Sequence, residues 1–307
     1  MGSTPERVAA IDIGTNSVLM LIAARNSKGA LRTLVERANV TRLGRGVDAE
    51  RRLQPEAMQR TLHVLAAYAA EAVAWNADVR AVGTSALRDA SNADELLARA
   101  EAVLGVRPQV IAGMREAELT FSGALVGIPV TRDEATVVDV GGGSTELVRA
   151  RAGELASVSI DIGAVRMTER FTLTAPTSSA ACAEVLAHAT RALRASGALA
   201  TSCIVAVAGT ATTLAAIADK VEPFDAVRIH GARISIEALR ALTASLAALD
   251  LDARAAVPGV GAARADVIVA GALLLLAACE HARASELIVS CGGLRVGLAA
   301  EALGVAL

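Results

Sequence analysis

The hydrophobic positions along the chain form two kinds of run, and the two kinds alternate from one end to the other. Short apolar runs are typical of buried strands, whereas apolar residues three and four positions apart are typical of helices. Alternation of this kind is typical of an α/β fold. The pattern predicts strands over 7–14, 18–25, 79–84, 108–111, 135–140, 203–209 and 286–290. It predicts helices over 54–75, 92–105, 164–171, 178–197 and 264–281, and two more that begin near Arg115 and after Gly293.

Residues at the ends of two predicted helices support their boundaries. Pro55 lies at the start of the first helix, where its missing N–H costs no hydrogen bond. Asn92 and Glu95 have the spacing of a capping box, and Gly105 stands where the same helix can end in a left-handed residue. We therefore expect the Asn92 side chain to cap the helix over 92–105.

One segment of the sequence occurs twice. The stretch VAAIDIGTNSVLMLIA (8–23) aligns with ATVVDVGGGSTELVRA (135–150), and in both a strand ends in Asp-x-Gly, turns through small residues and continues as a second strand. The paired residues, each 127 positions apart, are Asp12 with Asp139, Gly14 with Gly141, and Ser17 with Ser144. The repeat predicts two lobes of similar topology whose hairpins face each other across a cleft. The first lobe spans 1–122, with the final helix 294–307 packed back on it, and the second spans 123–293.

The two hairpin turns combine bare backbone with polar side chains. Glycines leave successive amides uncovered, so several N–H groups can point at one anion. The aspartate before each turn, Asp12 or Asp139, would repel a phosphate directly, but it can act through Mg²⁺ or Mn²⁺. The alternative is a pair of tight hairpins capped by the aspartates; the two copies in register favour phosphate binding. The predicted phosphate contacts are Gly14, Thr15, Asn16, Ser17, Gly141, Gly142, Gly143, Ser144 and Thr145.

Three further places offer groups that bind anions. Gly209 and Thr210 lie at a predicted strand-to-helix junction, where unpaired N–H groups can face a phosphate. Arg88 is predicted on a loop after a strand, where its guanidinium could fork onto phosphate oxygens or form a surface turn with Asp89. Arg166 stands at a helix start.

Glu116 and Glu118 lie in the first turns of the helix that begins near Arg115. Acidic residues favour helix N-termini, and this suffices to explain Glu118. Glu116 lies where the chain is expected to cross between the lobes. A carboxylate at that position could orient and deprotonate a water molecule.

Composition narrows the class of protein. Hydrophobic residues make up 53% of the chain and charged residues 20%, which is typical of a globular protein, and the net charge of −2 argues against a nucleic-acid-binding or membrane-binding surface. The four cysteines lack CxxC spacing, so we expect reduced thiols and a cytoplasmic protein. The N-terminus has no signal pattern, and the apolar run 267–279 is too short to span a bilayer. The oligomeric state stays open between a monomer and a homodimer.

Seven motifs together resemble the exopolyphosphatase / guanosine pentaphosphate phosphatase (Ppx/GppA) family. They are AAIDIGTNS, TSALRDASN, GMREAEL, VVDVGGGSTELV, GAVRMTERF, AVAGTATTLA and GAARADVIVAG, in this order along the chain. The resemblance implies an actin-like fold, the fold of sugar kinases and chaperone ATPases. Two ribonuclease-H-like domains, each a mixed sheet flanked by helices, would enclose the active site in the cleft between them.

The resemblance also implies roles for the matching residues. Glu116 matches the general base that acts on the attacking water, and Asp139 and Glu146 match acids near the metal and that water. Arg88 matches an arginine that binds phosphate, and Arg166 is carried over in the same way. The implied metal ligands are Asp12, Asp139 and Glu146.

The chain departs from the family pattern in two places. The family often has two consecutive acids where this chain has Arg115 and Glu116. We expect the Arg115 cation either to lower the pKa of Glu116, which would make it a poorer base, or to contact phosphate. Long members carry a C-terminal HD-type helical domain, so a sequence that stops at Leu307 resembles the short, two-domain form.

The resemblance implies an exopolyphosphatase that hydrolyses the terminal phosphate of inorganic polyphosphate, with Mg²⁺ or Mn²⁺. The alternative within the same class is a hydrolase of guanosine pentaphosphate (pppGpp) or other nucleotides, for which the few aromatic residues offer no clear guanosine pocket. An alternative of another class is a catalytically weak regulator that binds polyphosphate or nucleotide, and Arg115 keeps this alternative open. A kinase of the same superfamily is disfavoured because Glu116 points to water as the nucleophile.

Overall fold

Each copy of the repeated segment forms a β-hairpin at the start of its own sheet. The computed structural model describes residues 5–27, 29–151, 154–198 and 200–305. The chain divides into two compact units: unit 1 comprises 1–123 and 294–307, and unit 2 comprises 124–293. The boundary expected from the sequence lay one residue earlier in the chain.

Unit 1 contains a five-stranded mixed sheet. Its strand order is β3-β2-β1-β4-β5, in which β1, β2 and β3 pair antiparallel and β4 and β5 continue parallel to β1. The strands are β1 (Arg7–Ile13), β2 (Ser17–Arg25), β3 (Leu31–Val40), β4 (Asp78–Gly83) and β5 (Gln109–Val110). The helices are α1 (Val47–Glu50), α2 (Pro55–Ala74), α3 (Ser85–Asp89), α4 (Ala93–Leu104) and α5 (Gly113–Ala124), with α13 (Leu294–Ala302) returning at the end of the chain.

Unit 2 repeats this arrangement and extends it by one strand. Its order is β10-β11-β9-β6-β7-β8, with β6, β7 and β8 antiparallel, β9 and β11 parallel to β6, and β10 antiparallel at the edge. The strands are β6 (Ala135–Val140), β7 (Thr145–Arg151), β8 (Glu154–Ile160), β9 (Cys203–Val207), β10 (Arg233–Ser235) and β11 (Glu286–Val289). The helices are α6 (Ala164–Arg170), α7 (Ser179–Ala195), α8 (Ala208–Ala218), α9 (Ala226–Ile229), α10 (Ile236–Ala248), α11 (Leu251–Ala255) and α12 (Ile268–Ala282).

The shared strand order confirms the predicted fold class. In both units three antiparallel strands are followed by parallel ones: the similar topology of the two units was expected from the repeat, and the ribonuclease-H-like arrangement from the family resemblance. Asp12 is paired with Val82 of the next parallel strand, and Asp139 is paired in the same way with Val207. The two aspartates therefore occupy matching positions on the central strands of the two sheets.

Helices cover the sheet of each unit and close its core. In unit 1, α2 and α4 bury residues such as Leu65 and Leu96 with Ile11 and Ile13 of β1. In unit 2, the apolar helix α12 is buried along most of its length. Among the helices that the structure describes, none is long and apolar enough to cross a membrane.

Three local predictions are wrong. Asn92 does not cap α4; its Oδ1 accepts from Leu53 N (2.8 Å) and its Nδ2 donates to Leu53 O (3.1 Å), because tertiary partners occupy the side chain. Arg88 lies on the short helix α3 rather than on a loop. The helix predicted over 264–281 begins only at Ile268, and residues 262–267 form turns.

Arg254 stabilises unit 2 from the inside. Its side chain is among the largest that are fully buried, and burial lowers the pKa of its guanidinium. It binds main-chain carbonyls and one hydroxyl instead of a carboxylate. The acceptors are Leu246 O (2.9 Å), Ala265 O (3.0 Å), Leu249 O (3.1 Å), Thr177 Oγ1 (3.3 Å) and Ala247 O (3.4 Å). The guanidinium thus joins α10, the turn before α12 and the segment before α7.

We expect Arg254→Ala to lower the free energy of unfolding by about 3–5 kcal/mol, because it leaves several buried carbonyls without a donor. Urea denaturation followed by circular dichroism measures the change. Arg99→Ala is the control: Arg99 is exposed and pairs with Glu95 across one helical turn, so its loss should cost less than about 0.5 kcal/mol. Equal midpoints for the two variants would contradict the role of Arg254.

Candidate active site

The tip of the hairpin in unit 2 is held by its own backbone. Gly141 N donates to Ser144 O across the tip (3.0 Å). A Cβ on Gly141 would lie 3.1 Å from that same oxygen, so the tight turn favours glycine. Ser144 and Thr145, predicted to bind phosphate, are both buried at this tip.

The hairpin in unit 1 has the same geometry. Gly14 N donates to Ser17 O at 3.0 Å, and a Cβ on Gly14 would lie 3.0 Å from that oxygen. A second loop supports this tip: Thr41 N donates to Asn16 O (3.0 Å) and Gly44 N donates to Thr15 O (2.8 Å). The repeat recognised in the sequence is therefore a repeat of backbone geometry.

The start of α6 holds the glycine loop of unit 2. Ala164 N donates to Gly141 O (2.8 Å) and Val165 N donates to Gly142 O (2.9 Å). These amides therefore bind the carbonyl side of the loop at Gly141 and Gly142. A Cβ on Gly163 would lie only 2.3 Å from the Gly142 carbonyl, so this close approach requires glycine.

Arg166 belongs to the same support. It is 7% exposed, and its Nε donates to Gly143 O at 2.7 Å. Its Nη2 lies 3.9 Å from Asp161 Oδ1. Thr145 contributes from the other side, since its hydroxyl donates to Ile162 O. The contacts of Arg166 position the loop.

Two carboxylates of unit 2 lie side by side. Asp139 on β6 and Glu146 on β7 are direct cross-strand partners, so both side chains project from the same face of the sheet. Glu146 is 1% exposed and accepts a hydrogen bond from the Ser159 hydroxyl (2.7 Å). Asp12 occupies the corresponding place in unit 1, opposite Leu19.

Glu116 and Arg88 form an ion pair within unit 1. Arg88 Nη1 lies 2.6 Å from Glu116 Oε2 and also donates to Ile111 O at 2.9 Å. Gly83 ends β4, and a Cβ there would lie 2.2 Å from Leu87 Cδ1, so the glycine leaves room for the Leu87 side chain of α3 beside Arg88. The predicted base and the predicted phosphate-binding arginine are thus neighbours.

Burial raises the pKa of Glu116, and the Arg88 guanidinium beside it opposes that rise. A carboxylate with a raised pKa accepts a proton more readily near neutral pH, which suits a general base. Glu116 is 8% exposed, whereas Glu118 on the same helix is half-exposed.

Comparison with known proteins places this geometry in a family. The model of the Ppx/GppA phosphatase family matches residues 21–305. The chain belongs to the Ppx/GppA family. A relative from Mycobacterium tuberculosis, named Exopolyphosphatase 2, is 39% identical over 282 residues, and the match covers 88% of each chain.

Solved structures of Ppx/GppA proteins have the same fold. A family member from Aquifex aeolicus matches with a TM-score of 0.81 at 32% identity, over 98% of both chains. An exopolyphosphatase from Cytophaga hutchinsonii matches with a TM-score of 0.88 at 27% identity, over 97% of this chain and 98% of the other.

Arg115, the departure from the family pattern, does not act on Glu116 as expected. It pairs with Glu118 (3.2 Å) and with Glu301 of α13, and these bonds raise its own pKa, the bond to Glu301 most. The prediction that Arg115 lowers the pKa of Glu116 is wrong: the pKa of Glu116 is raised, and the cation that lowers it is Arg88. Adjacent residues of a helix project in different directions, which explains the separation.

Gly209 and Thr210 lie at the start of α8, and a third residue joins them. Ala208 adopts a left-handed φ of 69°, which marks a sharp turn from strand to helix. Thr210 packs its hydroxyl against α12, where a Cβ on Gly271 would lie 2.4 Å from it. A Cβ on Gly209 would lie 3.2 Å from the Arg264 guanidinium.

Arg264 is a candidate that sequence reasoning missed. Its Nη1 donates to Thr213 Oγ1 (2.7 Å), and burial lowers its pKa. In the described part of the chain no carboxylate pairs with it, which is unusual for a largely buried cation. The signal was the motif GAARADVIVAG (261–271), but the sequence pattern predicted a helix from residue 264, whereas Arg264 lies in a turn.

The acidic residues of unit 2 form a pair that could bind a metal ion. Within the residues described, no cluster of three or more His, Cys, Asp or Glu side chains is gathered for a metal. Asp139 and Glu146 nevertheless fit a hard cation, because Mg²⁺ is commonly held by one or two carboxylates together with phosphate oxygens and water. Two carboxylates directly opposite each other repel, and a divalent cation between them would offset that repulsion.

We expect Gly163→Ala to weaken binding of tripolyphosphate about tenfold, ~1.4 kcal/mol, because the new Cβ displaces the loop at Gly142. Isothermal titration calorimetry with Mg²⁺ present measures the affinity. Gly197→Ala is the control, since Gly197 has a positive φ of 68° but open space around it, so the change strains the backbone far from the loop. Unchanged affinity in Gly163→Ala would contradict the role of this close approach.

Proposed function

We propose that the protein is an exopolyphosphatase, which uses water to hydrolyse the terminal phosphoanhydride bond of inorganic polyphosphate. Membership of the Ppx/GppA family and the relative named Exopolyphosphatase 2 support a phosphoanhydride hydrolase. The observation that carries the proposal is the buried Glu116 paired with Arg88, because it joins a proton acceptor to a phosphate-binding cation.

The hairpin tips bind the terminal phosphoryl group in this proposal. Phosphoryl transfer depends mainly on positioning and on charge compensation, and backbone N–H groups in a tight glycine turn supply both. In unit 2 the amides of Gly142, Gly143 and Ser144 act in this way, because the Gly141 amide already binds Ser144 O and α6 binds the carbonyls of Gly141 and Gly142. In unit 1 the turn 14–17 has the same hydrogen bond across its tip and performs the same task.

Members of the family are generally metal-dependent, and we propose Mg²⁺, or Mn²⁺ in its place, held by Asp139 and Glu146 with Asp12 as a further acidic ligand. The ion would neutralise charge on the phosphate oxygens. Ser159 fixes the orientation of the Glu146 carboxylate through its hydrogen bond of 2.7 Å.

Glu116 takes the proton of the attacking water. Its raised pKa makes the carboxylate a sufficiently strong base, and the remaining Arg88 interaction orients it. Arg88 exchanges part of this pairing for the phosphate oxygens of the substrate. Phosphate oxygens, like the Glu116 carboxylate, form charge-assisted and often bidentate bonds with a guanidinium, so the exchange keeps Arg88 paired with an anion.

Arg166 and Arg264 serve the phosphate in different ways. Arg166 holds the Gly143 carbonyl, so it acts through the loop and is a positioning residue. Arg264 is a buried cation without a carboxylate partner in the described part of the chain, beside Gly209 at the start of α8. We assign it, with the amides of Gly209 and Thr210, to further phosphate groups of the substrate.

We expect Glu116→Gln to lower kcat by about 10²–10⁴-fold, because an amide cannot accept the proton of water. Phosphate release is measured with Mg²⁺ from polyphosphates of several lengths and, separately, from pppGpp. Glu118→Gln is the matched control on the same helix, because Glu118 is half-exposed and pairs with Arg115, and kcat should stay within about twofold.

The substrate arms of this experiment separate the alternatives. Release from polyphosphate supports the proposal, whereas release from pppGpp alone would make the protein a nucleotide hydrolase. No release from either substrate would leave a binding protein. Full activity in Glu116→Gln would remove Glu116 from its role.

The pH profile provides a second test. A general base must be deprotonated, so kcat/KM falls as pH drops through the raised pKa of Glu116, above the usual carboxylate value of about 4.3. Arg88→Gln removes the cation that lowers this pKa, so we expect the acid limb of the profile to move to higher pH. A limb that stays in place or moves to lower pH would contradict this assignment.

A further inference from the structure

Helix α13 contacts α5 so closely that no side chain fits between them. A Cβ on Gly297 would lie 2.1 Å from Leu119 O, 2.8 Å from Leu119 C and 3.0 Å from Leu119 Cα. All three atoms are backbone, so a change of rotamer cannot relieve the clash. Leu119 follows Glu116 by three residues on the same helix, which places this contact within one turn of the proposed base.

The first turn of α13 also packs against residues next to the Arg88–Glu116 pair. Leu294 forms a small apolar cluster with Val82, Ile111 and Leu119. The carbonyl of Ile111 is the second acceptor of Arg88 Nη1. One helix therefore contacts both the segment that holds Arg88 and the segment that carries Glu116.

Further contacts fix α13 itself. Arg295 Nη1 donates to Met20 O (3.3 Å), and Arg25 Nη2 donates to Leu303 O (2.7 Å). Glu301 pairs with Arg115 on the exposed side of α5. An exposed pair contributes little energy by itself, but here it joins the same two helices as Gly297 does.

We propose that Gly297 and Leu294 are positioning residues for Glu116: α13 holds α5 so that the carboxylate stays buried against Arg88. This role rests on the proposed function, in which Glu116 is the base. A displacement of about 1 Å at a reacting group is enough to lower a rate a hundredfold, so a helix that determines the position of the base determines the rate.

The charged groups around the base make the pH profile a specific readout. Arg88 is the cation that shifts the pKa of Glu116. Arg115 and Glu301 pair with each other at the surface, Glu118 pairs with Arg115, and Arg295 binds a main-chain carbonyl. A substitution on α13 therefore changes the pKa of Glu116 through the burial of its carboxylate and through the distance between this carboxylate and Arg88.

The test compares three variants of the full chain. We expect Gly297→Ala to lower kcat by about tenfold or more while KM for polyphosphate stays within about twofold. We expect its acid limb to move to lower pH, because water that reaches the carboxylate weakens the effect of burial. Leu294→Ala should change kcat and the limb in the same directions and by less, because it opens space at Ile111 without a clash.

Val296→Ala is the matched control on another face of α13. Val296 packs on the cluster of Val8 and Leu21, away from α5, so the variant loses packing without moving the base. Its kcat and acid limb should match the wild type even if its urea midpoint falls. Urea unfolding of all variants separates a loss of stability from a loss of positioning.

The outcomes distinguish the two proposals. If Glu116→Gln is inactive but Gly297→Ala and Leu294→Ala keep the wild-type kcat and acid limb, the positioning role is wrong and the base assignment stands. If Glu116→Gln is fully active, the base assignment fails and the positioning role fails with it. If Gly297→Ala does not fold, the kcat and the acid limb of Leu294→Ala decide.

Discussion

A backbone hydrogen bond across the tip of each hairpin is the constraint on which the active site depends. The bonds from Gly14 N to Ser17 O and from Gly141 N to Ser144 O close two turns of equal geometry. A Cβ at the first residue of either turn would lie 3.0–3.1 Å from the accepting oxygen, so the turns favour glycine there. The surrounding elements then support the turns: in unit 2 the start of α6 binds the carbonyls of Gly141 and Gly142.

Buried charge is managed in different ways in the two units. Burial raises the pKa of Glu116, and Arg88 remains its ion-pair partner and opposes that rise. Arg254 is buried among carbonyls, which fully occupy its guanidinium and make it a structural residue. Arg264 has one hydroxyl partner and no carboxylate in the described chain. The number of protein partners therefore separates Arg254, a structural cation, from Arg264, which we propose binds phosphate.

Much of the fold could be predicted from the sequence, because its signals are local. Glycine conformation and hydrophobic periodicity are properties of short segments. They predict the Asp-x-Gly hairpins, the apolar strands and α2, which has Pro55 in its first turn. The capping prediction failed because a distant partner competes for the side chain. Asn92 has the spacing of a cap, yet it binds Leu53, a residue 39 positions away that no local pattern reveals.

The sequence by itself determined the duplicated Asp-x-Gly turns, the α/β class and the family. Glycine spacing and hydrophobic periodicity are properties of residues that are close along the chain. Only the tertiary structure decided which charges meet. Arg115 is next to Glu116 in sequence but pairs with Glu301, whereas Arg88, 28 positions away, is the cation at Glu116. Helix geometry turns adjacent side chains apart and packing brings distant ones together. The environment of a titrating group therefore depends on contacts that sequence adjacency does not encode.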